Sequence, residues 1–201
     1  MFYKFARAIV RFIIKIIFKI EINGLENIPE DSGFILASNH RSLPDPAFIA
    51  IMVKPRVYFM AKKELFWWPF SVIIRALGAF PVRRGEGDHG AMDTASDLIR
   101  SGKILGIFPE GTRSKNGEPL RPKSGVAIIA KETKADVLPV GIHFDGKLRL
   151  RSKVTVTYGK LIKFEELELN GETAPSAIKK ASRLIMDRII ELSTVKGNDQ
   201  I

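Results

Sequence analysis

From Gly33 to Leu192, short apolar runs alternate with helical stretches, and that alternation admits few folds. Gly33–Ser38 (GFILAS) reads as a buried strand. Val57–Ala61, Ala79–Arg83, Ile104–Phe108, Val137–Phe144 and Lys153–Tyr158 read as further strands. Between them Asp45–Val53, Leu65–Leu77, Asp88–Ser101, Ser124–Glu132 and Ala174–Leu192 read as helices, the last with Thr173 as its cap. The expected fold class is α/β: a single central mixed sheet flanked by helices. A chain of 201 residues without repeats or low-complexity tracts fits one such unit over 23–201, with a polar, frayed tail at Lys196–Ile201.

Residues 2–22 (FYKFARAIVRFIIKIIFKIEI) follow a different pattern. On a helix, Lys4, Arg7, Arg11, Lys15 and Lys19 fall within a stripe roughly 120° wide, and Phe, Ile and Val cover most of the rest. No uncharged run approaches the roughly 20 residues of a spanning helix, and a secretory signal pattern is missing. The segment 1–22 is therefore expected to lie in the plane of a membrane, apolar face in the acyl boundary and cations toward headgroups. Each cation near an anionic leaflet contributes about 1 kcal/mol. The competing reading is a helix packed on this protein's own core or on a partner. Trp67 and Trp68 divide the same way, between interfacial anchors and core packing.

The formal net charge is +10, from 32 Lys+Arg against 22 Asp+Glu, which suits phospholipid, nucleic acid or a phosphorylated substrate. The aromatic-rich strand motifs of RNA-binding folds are absent, so no nucleic-acid partner is expected. With no cysteine, disulfides, thiol nucleophiles and cysteine zinc sites are excluded. The three histidines (His40, His89, His143) are not spaced as a metal site, and the last two read as structural.

Two segments carry chemistry. In Asn39-His40-Arg41-Ser42-Leu43-Pro44-Asp45, a strand runs into His40 and prolines flank Asp45. A continuous helix would point His40 and Asp45 about 140° apart, but Pro44 disfavours a helix there, so the chain must turn. A turn can return the carboxylate to the imidazole, fix its tautomer and leave the other nitrogen as a base. Asp45 before Pro46 also reads as an ordinary helix N-cap. In Phe108-Pro109-Glu110-Gly111-Thr112-Arg113-Ser114, a strand ends in a loop of glycine, hydroxyls and a guanidinium, a set that suits a phosphate or an exposed turn. Gly78–Arg84 and Lys123-Ser124-Gly125 are weaker anion-site signals of the same kind.

In this order, these segments resemble the glycerolipid acyltransferase family, of the 1-acyl-sn-glycerol-3-phosphate acyltransferase type. The Asn-His-x4-Asp block is Asn39, His40 and Asp45. The second block is similar to Gly78 through Arg84. Phe-Pro-Glu-Gly-Thr-Arg-Ser is complete from Phe108 to Ser114. The last block is Leu138-Pro139-Val140, and Ala61 through Leu65 matches a further family segment. The resemblance spans about residues 23–160 and implies an acyltransferase domain over 23–201. It implies His40 as general base with Asp45 as its partner, Lys62, Arg84 and Arg113 on the acceptor phosphate, Gly111 and Thr112 shaping the loop, and Glu110 ordering it. The implied reaction moves an acyl group from acyl-CoA or acyl carrier protein to the sn-2 hydroxyl of lysophosphatidic acid, with no cofactor beyond that donor. Another lysophospholipid, glycerol-3-phosphate or an aminolipid remains open as acceptor, as does, further off, a non-enzymatic membrane- or RNA-binding module. The expected location is the cytoplasmic side of the cell membrane, peripheral or monotopic.

Overall fold

The computed structural model describes residues 2–30, 33–68, 70–82, 89–114, 116–171 and 174–195. Seven strands form one sheet: β1 (Lys19–Asn23), β2 (Ile35–Ser38), β3 (Val57–Lys62), β4 (Ala79–Val82), β5 (Ile104–Ile107), β6 (Val137–His143) and β7 (Lys153–Tyr158). Their order is β1-β7-β6-β2-β5-β3-β4. The pair β6–β7 is antiparallel and the others are parallel, so the sheet is mixed as expected. Six helices accompany it among the described residues: α1 (Phe2–Ile17), α2 (Asp45–Ala50), α3 (Phe70–Ala76), α4 (His89–Arg100), α5 (Gly125–Thr133) and α6 (Pro175–Ser193).

Alternation along each strand sends side chains to two separate cores. Ile35 and Ala37 of β2 and Leu105 and Ile107 of β5 pack under α4, α5 and α6. Leu36 and Ile104 face the other way, with Phe48 and Ile49 of α2 and Ile14 of α1. Both faces of the central strands are covered, which is why they read as unbroken apolar runs.

The chain departs from the expected pattern at two helices. The helix expected over 2–22 ends at Ile17, and Lys19–Asn23 instead forms an edge strand in parallel register with β7. The helix expected from Leu65 begins at Phe70, after a short 3₁₀ turn at Lys63–Leu65. Trp68 precedes Pro69, and a residue before proline is held off helical backbone. Trp67 and Trp68 are left exposed, so the core-packing reading of them is not realised. The proposed Thr173 cap lies outside the described residues.

Glycine at position 106 sets up the neighbouring site. Gly106 pairs with Phe59 across β5 and β3, and a Cβ there would stand 2.1 Å from the Phe59 ring. The ring fills that space and continues into a stack, Phe59–Phe108 at 6.2 Å and Phe108–His40 at 4.1 Å between centroids. Gly106→Ala must drive the Phe59 ring off its seat, an overpacking cost of about 1–3 kcal/mol. The expected result is a lower urea midpoint with an unchanged denaturant slope, checked by equilibrium unfolding.

Candidate active site

The strand order creates a crevice at the carboxyl ends of β2 and β5. These strands are neighbours, yet the chain leaves β2 toward α2 on one face and leaves β5 toward α5 on the other. Divergent connections of this kind open the space in which α/β sheets bind ligands. The two motif segments are the loops at that crevice.

After β2, Asn39 continues the strand with its side chain. Its amide oxygen accepts from Ile142 N at 2.8 Å and its Nδ2 donates to Ile142 O at 2.9 Å, which pins the loop to β6. His40 follows, and the chain turns through Pro44 into α2, whose first residue is Asp45. The turn brings the pair together. His40 Nδ1 lies 2.9 Å from Asp45 Oδ2, and Asp45 is fully buried. The same carboxylate accepts Arg41 N at 2.6 Å, Ser42 N at 2.7 Å and the Ser42 hydroxyl. With only an acceptor opposite it, Nδ1 carries the proton, and Nε2 is left with a free lone pair. Asp45 is thus the first helical residue rather than the N-cap, a place taken by Pro44.

The second loop is stitched to His40 through its backbone. Glu110 Oε1 accepts from His40 N at 2.8 Å, and His40 O accepts from Ser114 N at 2.8 Å. The other Glu110 oxygen accepts from Leu120 N at 3.1 Å. Burial pushes the Glu110 carboxyl above the ordinary glutamate range, against the two backbone bonds, which pull it down. Gly111 stands at φ 69°, and a Cβ there would lie 2.9 Å from the Lys123 side chain, so the loop backbone and that lysine are in close contact. Thr112 and Arg113 follow and are exposed.

His40 opens into a cavity of about 540 Å³ whose apolar wall includes Val10, Ala47, Phe59, Met60, Leu77 and Phe108. Lys62 stands on its rim, paired with Glu64 at 3.3 Å. The crevice therefore gathers His40, Asp45, Glu110 and Gly111, with Lys62 at the cavity. Arg83 and Arg84 lie outside the described residues. His143 Nδ1 donates to Ser193 O at 2.9 Å and ties β6 to the end of α6. His89 is the first residue of α4.

Several positioning residues escaped the sequence reading. Arg41 stacks on Phe144 at 4.1 Å and donates to Phe144 O at 2.8 Å, and its guanidinium also packs against Gly117. Nothing in the local pattern marks that contact, because it joins segments far apart in the chain. Ser42, three residues before Asp45, donates its hydroxyl to the Asp45 carboxylate and so helps hold it.

A family model described as Acyltransferase matches residues 19–143, and the chain belongs to the acyltransferase family. The 1-acyl-sn-glycerol-3-phosphate acyltransferase of Bacillus subtilis (strain 168) is 35% identical over 140 residues, covering 68% of this chain and 69% of that protein. The protein of the same name from Streptococcus pneumoniae (strain ATCC BAA-255 / R6) is 29% identical across 100% of this chain and 77% of its own length. The crystal structure of the 1-acyl-sn-glycerophosphate (LPA) acyltransferase PlsC from Thermotoga maritima aligns with a TM-score of 0.75 at 26% identity, over 98% of this chain and 81% of that one. Within the family, the chain groups with the 1-acyl-sn-glycerol-3-phosphate acyltransferases.

Proposed function

We propose that this chain transfers a fatty acyl group from a thioester donor to the sn-2 hydroxyl of lysophosphatidic acid, giving phosphatidic acid and a free thiol. The observation that carries the reading is the His40–Asp45 couple, 2.9 Å apart, at the mouth of an apolar cavity. His40 Nε2 takes the proton of the acceptor hydroxyl as its oxygen bonds to the thioester carbonyl carbon. The tetrahedral oxyanion collapses, the C–S bond breaks, and the thiolate takes the proton back from Nε2. Asp45 holds the Nδ1–H tautomer and stabilises the imidazolium between these steps. The Phe108 ring fixes the imidazole plane from the side. The cavity has the size and lining for an acyl chain. Lys62 and Arg113, together with Arg84, supply cations for the acceptor phosphate.

The test is purified protein in mixed micelles with acyl-CoA and lysophosphatidic acid, with lysophosphatidylcholine and glycerol-3-phosphate as competing acceptors. Thiol release matched by phosphatidic acid, read by mass, supports the reaction. Acylation of a competitor in preference to lysophosphatidic acid would reassign the acceptor.

The reading also places α1 on a lipid surface. Among the described residues, no helix is long and apolar enough to cross a membrane. The helix has two apolar sides. Ile14 is buried against the core, and Arg7 donates to the carbonyls of Val53 and Lys54. Phe5, Ile9, Phe12, Ile13 and Ile16 are exposed on the other side, Leu43, Leu65 and Trp67 are exposed at the cavity, and Trp68, next to Trp67 in the chain, is exposed as well. An apolar collar around the mouth lets a lipid acceptor enter without leaving its bilayer. The location proposed is the cytoplasmic face of the cell membrane. Deleting α1 would also remove Ile14 from the core, so substitution is the sharper test. Phe5→Ser/Phe12→Ser/Ile16→Ser is expected to lower co-sedimentation with anionic vesicles at least tenfold, while circular dichroism stays that of the wild type. Unchanged sedimentation would remove α1 from the membrane contact.

A further inference from the structure

On the opposite face of the sheet from the His40 cavity, a second concavity of about 510 Å³ lies between the start of α5 and the first half of α6. Four cations line it, Arg121 and Lys123 from the loop before α5 and Lys179 and Arg183 from α6, and no carboxylate does. All four are exposed, and none makes a side-chain hydrogen bond or ion pair among the described residues. Other cations of the same helix are neutralised locally, Lys180 by Glu168 and Arg188 by Glu191. Lys179 and Arg183 are one helical turn apart, where like charges repel. A concave site that gathers unpaired positive charge suits a ligand with several phosphates.

The hollow adjoins the reaction centre through the second loop. Lys123 N donates to Pro109 O at 2.8 Å, and the Lys123 side chain lies against Gly111. Arg121 follows Leu120, whose N–H donates to the Glu110 carboxylate that also holds His40 N. A ligand headgroup seated here would have the loop between itself and His40, within reach of a flexible arm.

We propose that this hollow seats the phosphate-bearing nucleotide end of a coenzyme A thioester, so that donor headgroup and lipid acceptor approach from opposite faces of the sheet. The inference rests on the acyl-transfer reading and names its donor. Three considerations separate this site from other anion sites. The acceptor phosphate must reach His40, whose cavity on the other face has its own cations in its lining, Arg7 and Lys62. The exposed apolar collar lies on the α1 and α2 side, so the hollow faces away from the proposed bilayer and toward a water-soluble donor. A concavity of this volume matches a nucleotide-sized ligand.

The test compares the full-length wild type with Arg121→Ala/Lys179→Ala/Arg183→Ala, leaving Lys123 in place because it supports the loop. The first measurement is titration calorimetry with free coenzyme A and with 3′-phospho-ADP, which needs no catalysis. The wild type is expected to bind both and the variant to bind at least tenfold more weakly. The second is the kcat/KM ratio for acyl-CoA over acyl-pantetheine, a donor without the nucleotide. That ratio is expected to fall at least tenfold in the variant. No binding of coenzyme A to the wild type, equal binding by both proteins, or an unchanged ratio would overturn the proposal. Loss of transfer from acyl carrier protein alone, with coenzyme A binding intact, would assign the hollow to a protein donor instead. If the wild type binds coenzyme A through these residues but yields no acylated lipid with any acceptor, the hollow stands and the acyl-transfer reading fails.

Discussion

His40→Ala is expected to form phosphatidic acid about 10²–10⁴-fold more slowly than the wild type at saturating substrate, the usual contribution of a positioned general base. The fold should survive the change. Both backbone groups of His40 remain bonded, N–H to Glu110 and C=O to Ser114. Asp45 keeps three of its four donors, Arg41 N, Ser42 N and the Ser42 hydroxyl. What is lost is the ring stack on Phe108 and one hydrogen bond, together about 1–3 kcal/mol. The contrast between a large kinetic loss and a small shift in the urea midpoint separates a base from a structural histidine. Product formation at the wild-type rate would remove His40 from the chemistry and take the proposed mechanism with it. Asp45→Ala should behave differently, because it strands buried N–H groups as well as the imidazole and so lowers stability and rate together.

The sheet was legible because its central strands are buried on both faces and bounded by helices, so β2, β5 and β6 stand out as apolar runs wherever the chain is read. The edge strand β1 was obscured by its neighbour. Lys19-Ile20-Glu21-Ile22-Asn23 alternates polar and apolar residues, the period of a strand, but Lys19 also continues the cationic stripe of α1. Two periodicities overlap there, and only pairing with β7 resolves them. The His40–Asp45 contact could be anticipated as a turn forced by Pro44. Its support could not. Gly106 reads as an unremarkable strand residue until Phe59 is seen lying across it, and the Asn39 side chain reads as polar until β6 supplies both of its partners. These contacts join residues far apart in sequence, and no local pattern encodes a partner on another strand. The same holds for Lys123, whose place against Gly111 depends on how the loop between β5 and α5 folds back.

Glu110→Ala is expected to cost both stability and rate, because this carboxylate joins the two loops of the crevice. It is buried and spends its oxygens on two backbone donors, His40 N and Leu120 N. Removing it takes the partner from both N–H groups, a cost of up to about 2–6 kcal/mol for the pair. The kinetic effect follows from position. His40 is held from below by Asp45 and from behind by Glu110, and losing the second anchor lets the imidazole shift relative to the cavity. A displacement of about 1 Å at a reacting group can cost 10²-fold in rate. Glu110→Gln sharpens the argument, since its amide oxygen can still accept one of the two N–H groups while its NH₂ faces the other donor. It should fall between the wild type and Glu110→Ala in both urea midpoint and kcat. Single-turnover rates and equilibrium unfolding on the three proteins would decide it. A Glu110→Ala variant as active as the wild type would mean that Asp45 and Ser114 alone fix His40, and Glu110 would then be a support for the loop without influence on the imidazole.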